Sequence, residues 1–457
     1  MDQAYTKRME NEAILEQYGL FRAKVPRFTS YPPANRFELN TGRRHQVLWL
    51  QNVSDTDPVS VYVHIPFCRR LCYFCACRTQ GTQTLKPVAT YVETLITEIQ
   101  AIRRALPDKI KMARLHFGGG TPTLLNEELM NQLCDAIFNN FAASRDFEFS
   151  VEIDPTETAP GILETLADWN MGRASIGVQD FAPKVQTTIG REQSFEQTQA
   201  VIERLRGLGI NSVNLDLVYG LPHQTVASLE RTLEHVLTLN PDRLALYGYA
   251  HVPQISKRQV MISDKNLPDS YERYQLATLA RRLFVDDGLL PIGIDHFARD
   301  TDSLARAAKR GMLRRNFQGY TDDPCRTLIG LGASAISEFP EGYVQNAVAT
   351  AAYADRIKHD GIAGHRGYAM TSQDLMVSDL VQDLMCCGGF DYTGLKVKHP
   401  EHEVQIDAIV RRLSFRFAEA LHISENEVTI KPEAASLTRV IASVAAEEET
   451  SKGSLAI

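Results

Sequence analysis

The stretch VYVHIPFCRRLCYFCAC, residues 61–77, joins a short apolar run to four cysteines. The apolar run is typical of a β-strand that is buried in a sheet. The cysteines follow directly, within ten residues, at Cys68, Cys72, Cys75 and Cys77. Among the common intracellular metals, thiolates select zinc or iron–sulfur clusters, so this stretch predicts a metal site where a strand ends.

The spacing of the first three cysteines, C-x3-C-x2-C, favours an iron–sulfur cluster over zinc. A structural zinc site usually takes two paired cysteine knuckles, and no second knuckle is found in the sequence. Three thiolates on a cubane cluster leave one iron without a protein ligand. An open coordination position is the mark of a metal site that handles substrate. A cluster that only stabilises the fold is the alternative.

Apolar strand-like runs alternate with helical patterns from about residue 58 to residue 250. The helical patterns include 91–106 and 195–209, and the second ends in Gly209, as helices commonly do. Strand–helix alternation over six units predicts a parallel sheet with right-handed crossovers. Six units are fewer than a closed barrel needs, so we predict an α/β protein with a partial, open (β/α)6 barrel. The predicted strands are 60–65, 114–119, 147–154, 173–179, 212–220 and 243–250.

Several of these strands carry polar side chains on one face. In 147–154 every second residue is polar, from Glu148 to Asp154, and apolar side chains fill the other positions. Strands 173–179 and 212–220 alternate similarly. Because the helices must cover the apolar face, the polar face should point into the barrel and surround a ligand-filled lumen. Strands with one solvated face are the alternative.

The rest of the chain divides into three further regions. We expect an N-terminal extension over 1–57, and a barrel with its following lid and loops over 58–345, in which 251–345 mixes helix and loop. A mainly helical C-terminal domain is expected over 346–440, and a disordered tail over 441–457, where small and charged residues predominate.

Composition and charge exclude several classes of function. The net charge of -7 argues against a nucleic-acid binder, and no apolar run approaches the ~20 residues of a membrane span. The N-terminus lacks the apolar region of a signal peptide, so we expect a cytoplasmic protein, and a monomer. In that reducing compartment the remaining cysteines should be buried packing residues and not disulfides: Cys134, Cys325, Cys386 and Cys387.

The cysteine spacing resembles that of the radical S-adenosylmethionine (SAM) enzymes, in which the open iron of a [4Fe–4S] cluster binds SAM. Phe74 stands between the second and third cysteines, where those enzymes usually have an aromatic residue. The run GGGTP, 118–122, is similar to their glycine-rich strand end. Glycines lack Cβ, so the backbone there can approach the methionine ammonium group of SAM. The resemblance implies a radical-SAM barrel.

A longer series of motifs resembles one family in that class, the oxygen-independent coproporphyrinogen III oxidases (dehydrogenases). The match runs from about residue 20 to 340 and weakens after residue 390. It is carried, in this order, by PRFTSYP, VYVHIPFCRRLCYFCAC, GGGTPTLL, VEIDP, GVQDF, NLDLVYGLP, YGYAHVP, DHFAR, NFQGYT and GASAIS.

This resemblance assigns roles to residues by position. The cluster would be held by Cys68, Cys72 and Cys75. The SAM on the cluster would contact Tyr62, Gly119, Glu152 and Ile336. The family is known for a second SAM, whose surroundings match Phe74, Gly120, Thr121, Gln179, Arg191, Asp216 and Ala250. The catalytic candidates are Cys77, which matches a cysteine that does not ligate the cluster, and the loop residues Phe317 and Gln318.

The implied reaction converts two propionates of coproporphyrinogen III to vinyl groups, giving protoporphyrinogen IX in anaerobic haem biosynthesis. The resemblance implies that a 5′-deoxyadenosyl radical from SAM takes a propionate β-hydrogen, after which CO2 and one electron leave. The implied partners are the tetrapyrrole substrate and an electron donor such as flavodoxin or ferredoxin. The substrate is tetra-anionic, so Arg27, Arg299 and Arg315 are candidates at the barrel mouth, with solvated surface charges as the alternative.

The C-terminus departs from the family pattern. The stretch SLTRVIASVAAEEET, 436–450, stands where the family commonly has a Phe-Asp-x-Tyr-like stretch. Two other functions therefore remain open at this point. One is a paralogous radical SAM enzyme that acts on another tetrapyrrole, and the other is a haem-binding chaperone on the same scaffold.

Overall fold

The computed structural model describes residues 12–447 and 454–457 of the chain. Its strands are β1 (Lys24–Val25), β2 (Val59–Ile65), β3 (Phe67–Cys68), β4 (Gln80–Gly81), β5 (Lys111–Gly119), β6 (Ala142–Ile153), β7 (Arg173–Gln179), β8 (Ser212–Tyr219), β9 (Arg243–Gly248), β10 (Leu290–Ile292), β11 (His296–Ala298), β12 (Arg314–Asn316), β13 (Gly319–Thr321), β14 (Thr327–Leu331), β15 (Ile336–Phe339), β16 (Gly342–Asn346), β17 (Gly364–Ala369), β18 (Gly389–Asp391), β19 (Leu421–Ile423), β20 (Glu427–Ile430) and β21 (Ser454–Leu455).

Helices connect most of these strands, and short 3-10 turns lie between them. The α-helices are α1 (Arg43–Asn52), α2 (Lys86–Ala105), α3 (Glu127–Asn140), α4 (Ile162–Asp168), α5 (Pro183–Ile189), α6 (Phe195–Gly207), α7 (Val226–Thr238), α8 (Ser270–Asp286), α9 (Ser303–Lys309), α10 (Thr350–Asp360), α11 (Ser372–Cys387), α12 (Tyr392–Lys398), α13 (Glu403–Arg416) and α14 (Thr438–Ala445).

One large sheet organises the chain. Its strand order is β10-β11-β9-β8-β7-β6-β5-β2-β14-β15-β16-β17. The six predicted strands are present as β2 and β5 to β9, neighbouring strands among them are parallel, and the prediction of a partial barrel is confirmed. A seventh parallel strand, β14, pairs with β2, and antiparallel strands complete both edges.

The helix of the first crossover shows why the alternation forms. In α2 the buried side chains recur at helical spacing, for example Val88, Val92, Leu95 and Ile99, so one stripe of the helix packs on the sheet. Helix α6 begins with a capping box and is followed by Gly209 at φ +86°, the left-handed position that glycine favours after a helix.

The polar faces of the strands point into the barrel, as the alternation predicts. In β6 the side chains of Phe149, Val151 and Ile153 are buried in the core. The polar side chains Glu148 and Glu152 line the internal cavity. Helices cover the apolar face, so the cavity is the space left for polar groups and their ligands.

The prediction for residues 251–345 is wrong in part, because this region also contains short strands. Two antiparallel strands, β10 and β11, extend the sheet beside β9. Strand β14 lies beside β2, at the other edge of the six predicted strands. Strands this short carry too few residues for a period of two to stand out in the sequence.

The C-terminal unit is mainly helical, with a three-stranded sheet in the order β18-β20-β19. The expectation of a disordered tail over 441–457 is wrong for its described residues. Helix α14 reaches Ala445 within an apolar cluster that also contains Ile457, and β21 pairs with β1. The backbone oxygen of Ile457 accepts a hydrogen bond of 2.9 Å from Arg273. The same cluster includes residues of the N-terminal extension from Leu15 to Tyr31.

In the described part of the chain, no helix combines the length and apolar character needed to cross a membrane.

A buried carboxylate ties the first crossover helix to the edge of the sheet. Glu98 of α2 accepts hydrogen bonds from Gly332 N–H at 2.7 Å, Asn346 Nδ2 at 2.8 Å and Tyr353 O–H at 2.7 Å. Burial raises the pKa of Glu98 to about 7. Since Gly332 begins the turn between β14 and β15, this contact fixes the start of the chain that leads to Ile336 at the cavity.

Replacing Glu98 by alanine should lower the free energy of unfolding by about 3 kcal/mol, because three buried donors lose their acceptor. Urea titration measures this change. The matched control is Glu93→Ala, which removes an exposed carboxylate from the same helix and should change stability by less than about 0.5 kcal/mol.

The loss of unfolding free energy in Glu98→Ala should also depend on pH. Because the pKa of Glu98 is raised to about 7 in the folded chain, its contribution is fully present at low pH and decreases as the pH rises toward that value. Equal losses of unfolding free energy in Glu98→Ala and Glu93→Ala would contradict this account. So would a loss in Glu98→Ala that grows as the pH rises.

Candidate active site

The carboxyl ends of the parallel strands open into one cavity of about 940 Å³. This end of a parallel sheet is where ligand sites form. All the residues to which the family resemblance assigns a role line the cavity, except Tyr62. They are Cys68, Cys72, Phe74, Cys75, Cys77, Gly119, Gly120, Thr121, Glu152, Gln179, Arg191, Asp216, Ala250, Phe317, Gln318 and Ile336.

The cysteine loop, residues 68–79, is fixed at its ends and in its middle. Strands β3 and β4 pair in parallel, with Cys68 opposite Gly81. The N–H of Tyr73 donates to the carbonyl of Ile189 at 2.8 Å. The ring of Tyr73 packs on Gly190, where an added Cβ would lie only 3.1 Å from the ring. The thiols of the loop therefore face the cavity from a fixed backbone.

The thiols differ in their tendency to ionise. Burial raises the pKa of Cys68 to about 11. Burial also raises the pKa of Cys72, although the positive charge of Arg191 acts in the opposite direction on Cys72. A hydrogen bond from the Cys77 thiol lowers the pKa of Cys75 and raises that of Cys77. Metal binding must therefore release protons from buried thiols, and it should tighten as the pH rises.

The donor set fits an iron–sulfur cluster. Within the described ranges, no three His, Cys, Asp or Glu side chains are arranged to hold a single metal ion. In a cubane each thiolate ligates a different iron, so the sulfurs surround a cluster and do not converge on one ion. Cys68, Cys72 and Cys75 line one cavity, so their sulfurs can surround such a cluster.

The glycine-rich end of β5 is crowded by backbone and by side chains. A Cβ on Gly119, which has φ +114°, would lie 2.6 Å from the His64 ring, and a Cβ on Gly120 would lie 2.5 Å from the Phe67 carbonyl oxygen. The N–H of Gly119 donates to Glu152 Oε2 at 3.0 Å. Only glycine therefore fits at these two positions of the strand end.

Glu152 is an ionised carboxylate in the cavity wall. Burial alone raises its pKa, but the hydrogen bond and charge of His116 and the N–H of Gly119 together hold the pKa of Glu152 below its ordinary value. A carboxylate held ionised in this way can accept hydrogen bonds from an ammonium group.

Arg191 supplies a buried positive charge close to the cysteine loop. Its Nη1 lies 2.8 Å from Asp154 Oδ2 and 3.8 Å from the Cys72 sulfur, and its Nη2 donates to the Gly177 carbonyl at 2.8 Å. Its Nε is buried without a hydrogen-bond partner among the described residues. Because Arg191 also lines the cavity, its positive charge fits an anionic group of a cofactor there.

Asp216 and Gln179 lie farther along the same wall. Asp216 accepts hydrogen bonds from Asn214 at 2.8 Å and from Ser175 at 3.0 Å, and burial raises its pKa. Gln179 has φ +68°, at a register shift between β7 and β8. This backbone conformation is uncommon for a residue with a side chain, and its presence at a cavity is typical of a functional site.

Tyr62 lies behind the wall and not on it. Its ring stacks on His116 with the centroids 5.8 Å apart, and it contacts Phe317 edge-on at 5.3 Å. Its hydroxyl group is 3.0 Å from His64 Nδ1. Tyr62 is buried among side chains that themselves line the cavity, so it supports Phe317 and His116.

The three arginines expected at the mouth lie in different places. Arg27 lines the cavity and donates to the Gly248 carbonyl at 2.6 Å. Arg315 is buried, 3.6 Å from Asp295. The expectation for Arg299 is wrong. Its N–H donates to the Asp242 carbonyl, beside the residue that begins β9, so it lies at the opposite end of the strands from the mouth.

Some cavity residues were not singled out from the sequence. The strand alternation could have found those that share the inward parity, namely Arg114, His116, Arg173 and Tyr247. No strand pattern points to Arg70, Arg258 or His296, which also line the cavity.

A partial parallel barrel with three loop thiols at its open end defines the chain as a radical SAM protein. A family model described as "Radical SAM superfamily" matches residues 62–236.

Relatives over the full length narrow this class. The chain is 48% identical to an oxygen-independent coproporphyrinogen III oxidase of Cereibacter sphaeroides, over 97% of this chain and 98% of the relative. It is 46% identical to the oxygen-independent coproporphyrinogen III oxidase of Paracoccus denitrificans, over 95% and 96% of the two chains. The chain belongs to the family of oxygen-independent coproporphyrinogen III oxidases.

A solved structure supports the same relationship. Coproporphyrinogen III oxidase (HemN) from Escherichia coli, described as a radical SAM enzyme, superposes with a TM-score of 0.88 at 35% identity, over 92% of this chain and 96% of that one. The Cereibacter match covers 443 residues of this chain, so it necessarily extends past residue 390.

Replacing Cys68, Cys72 or Cys75 by serine should abolish most of the iron content and the visible absorbance of a reconstituted cluster, because each of these thiolates would ligate a separate iron. Iron analysis and absorption spectroscopy measure both. The control is Cys387→Ser, at a cysteine remote from this loop in sequence; it is exposed, so the expectation that it is buried is wrong. A full cluster in any of the three loop variants would show that its ligand set is a different one.

Proposed function

We propose that this protein catalyses the oxidative decarboxylation of two propionates of coproporphyrinogen III to vinyl groups, giving protoporphyrinogen IX in anaerobic haem biosynthesis. The observation that carries the proposal is the convergence of the cluster cysteines, the glycine-rich strand end and the polar strand faces on one cavity. The full-length relatives bearing the name of this activity support it.

Three cysteines and residues of three strands hold the first cofactors. Cys68, Cys72 and Cys75 hold the [4Fe–4S] cluster, and Gly119, Glu152 and Ile336 contact the SAM beside it. When bound, the cluster and SAM supply one-electron chemistry that removes hydrogen from carbon. The protein's part is to orient these groups and to exclude water. Tyr62 acts behind them, through its contacts with His116 and Phe317.

Glu152 binds the ammonium group of that SAM. Its pKa is held below the ordinary value by His116 and Gly119 despite burial, so it stays ionised near neutral pH. The Gly119 N–H fixes one of its oxygens. A carboxylate with one oxygen held by the backbone presents the other at a defined position for a cationic ligand.

A second SAM occupies the wall next to the first. We assign its surroundings to Phe74, Gly120, Thr121, Gln179, Arg191, Asp216 and Ala250. The positive charge of Arg191 at the cavity wall suits the methionine carboxylate. The Asp216 carboxyl group is fixed by Asn214 and Ser175, and it suits a ribose hydroxyl group, which can both donate and accept.

The substrate enters on the side of the arginines. Coproporphyrinogen III carries four carboxylates, and Arg27, Arg70 and Arg258 line the cavity with positive charge. Cys77, Phe317 and Gln318 line the same cavity and are the candidates for direct contact with the reacting side chain. Each propionate loses a hydrogen atom, carbon dioxide and one electron to become a vinyl group.

The remaining features of the proposal concern the protein's setting. We propose a cytoplasmic monomer that receives electrons from an acidic carrier such as flavodoxin or ferredoxin. The net charge of -7 supports a protein that does not bind nucleic acid.

An anaerobic turnover assay tests the function. The reconstituted and reduced protein is given SAM and coproporphyrinogen III, and 5′-deoxyadenosine is followed together with the mass of the porphyrin. Loss of two carboxyl groups with consumption of SAM is the expected result. Formation of 5′-deoxyadenosine without decarboxylation would indicate another tetrapyrrole as substrate. Haem binding without any cleavage of SAM would indicate a chaperone.

Replacing Asp216 by alanine should leave the cluster intact and raise the apparent KM for SAM by about 10- to 100-fold, because a hydrogen bond to a charged group contributes about 1.5–3 kcal/mol. Initial rates of 5′-deoxyadenosine formation against SAM concentration measure this. Asp168→Ala, at an exposed position of α4, is the control. Loss of iron in Asp216→Ala would instead assign this residue to the cluster site.

A further inference from the structure

A short segment after β9 lies directly on the cysteine loop. This cover segment, residues 251–262, contains the 3-10 turn Lys257–Met261. Ser256 Oγ donates to the Cys75 carbonyl at 2.8 Å, and the buried Gln259 donates to the Phe74 carbonyl at 2.8 Å. Arg258 donates to the side chain and the backbone of Thr79. The inner side of the segment is therefore bonded to the loop that carries the cluster ligands.

The outer side of the cover segment exposes apolar side chains. Val260 is 68% exposed and Met261 is 62% exposed, and neither lines the cavity. Ile255, at 57%, is exposed at the cavity mouth. Adjacent exposed apolar residues on a segment that is otherwise well bonded are typical of a surface for a partner. Methionine adapts to different partner shapes, so it is common at such surfaces.

The charge beside these apolar residues is positive, although the whole chain is negative. Lys257 and Lys265 are exposed, and no ion pair to either is found among residues 12–447 and 454–457. The acidic residue between them, Asp264, is 2.8 Å from His251 Nε2. An apolar centre with uncompensated lysines at its rim complements a partner whose surface is acidic.

We propose that Lys257, Val260 and Met261 form the docking surface for an acidic protein that delivers single electrons to the cluster. This inference rests on the proposed function, which requires a reducing electron from outside the chain. The donor is oxidised by one electron, and the cluster is reduced by one. Ser256 and Gln259 donate hydrogen bonds to the carbonyls of Cys75 and Phe74. Only the cover segment therefore separates this surface from the loop with the cluster ligands.

The expected complex is small and transient. Electron-transfer partners bury little surface, and their association depends on complementary charge, so it weakens as salt is added. A substitution on this surface should therefore affect delivery of electrons by a protein and not by a small chemical reductant, which needs no docking surface.

The test compares two sources of electrons in the double variant Val260→Glu, Met261→Glu. Cleavage of SAM to 5′-deoxyadenosine is measured with reduced flavodoxin and, separately, with dithionite. With flavodoxin, the apparent KM for the carrier should rise by about 10-fold or more, because two like charges are introduced opposite an acidic partner. With dithionite the rate should be unchanged.

A matched control carries the same substitution at a distant exposed valine. Val404 is 77% exposed on α13 of the C-terminal unit, and Val404→Glu should leave both rates unchanged. A third variant, Lys257→Glu, should weaken flavodoxin-driven cleavage, and it should flatten its dependence on salt.

The possible results separate this inference from the proposed function. Equal loss with both reductants, or no loss with either, would overturn the docking surface. A loss with flavodoxin in Val404→Glu as large as that in the double variant would also overturn it. Absence of 5′-deoxyadenosine from the unaltered protein with dithionite would overturn the proposed function itself.

Discussion

The apolar face of each parallel strand must be covered by helices, and this requirement determines where every functional group of the protein lies. Side chains alternate along a strand, so an apolar outer face fixes the polar side chains on the inner face. Glu152, Asp216 and Gln179 come from three different strands, and they meet in one cavity because parallel strands end at the same edge. The site is therefore a consequence of strand periodicity together with helix packing.

The cysteine loop adds thiols to the cavity that the strands form. It is fixed by β3–β4 pairing and by the Tyr73–Ile189 hydrogen bond, and the cover segment bonds to it from outside. Arg191 is placed between the loop and the polar wall, where it contacts both Cys72 and Asp154. One buried cation thus links the thiols to the cofactor wall, so the geometry of the cluster and that of the cofactor cavity are coupled.

Much of this arrangement could be predicted from the sequence, and the failures have physical reasons. The long periodic runs predicted the parallel strands. The family motifs predicted residues that line the cavity, the first being Cys68 and the last Ile336. Arg299 was misplaced because its position depends on the β11–β9 pairing, a contact between segments distant in sequence. The tail was misjudged because its few apolar residues are buried against a helical unit, and composition alone does not show that contact.

Cys68, Cys72 and Cys75 would hold a cluster in which one iron has no protein ligand and is open to SAM. Electron paramagnetic resonance of the reduced protein tests it directly, with and without SAM. SAM should change the cluster signal both in the unaltered protein and in Cys77→Ser, because the iron without a protein ligand would bind SAM and Cys77 would not be a ligand. A signal that SAM leaves unchanged, or a cluster lost in Cys77→Ser, would contradict it.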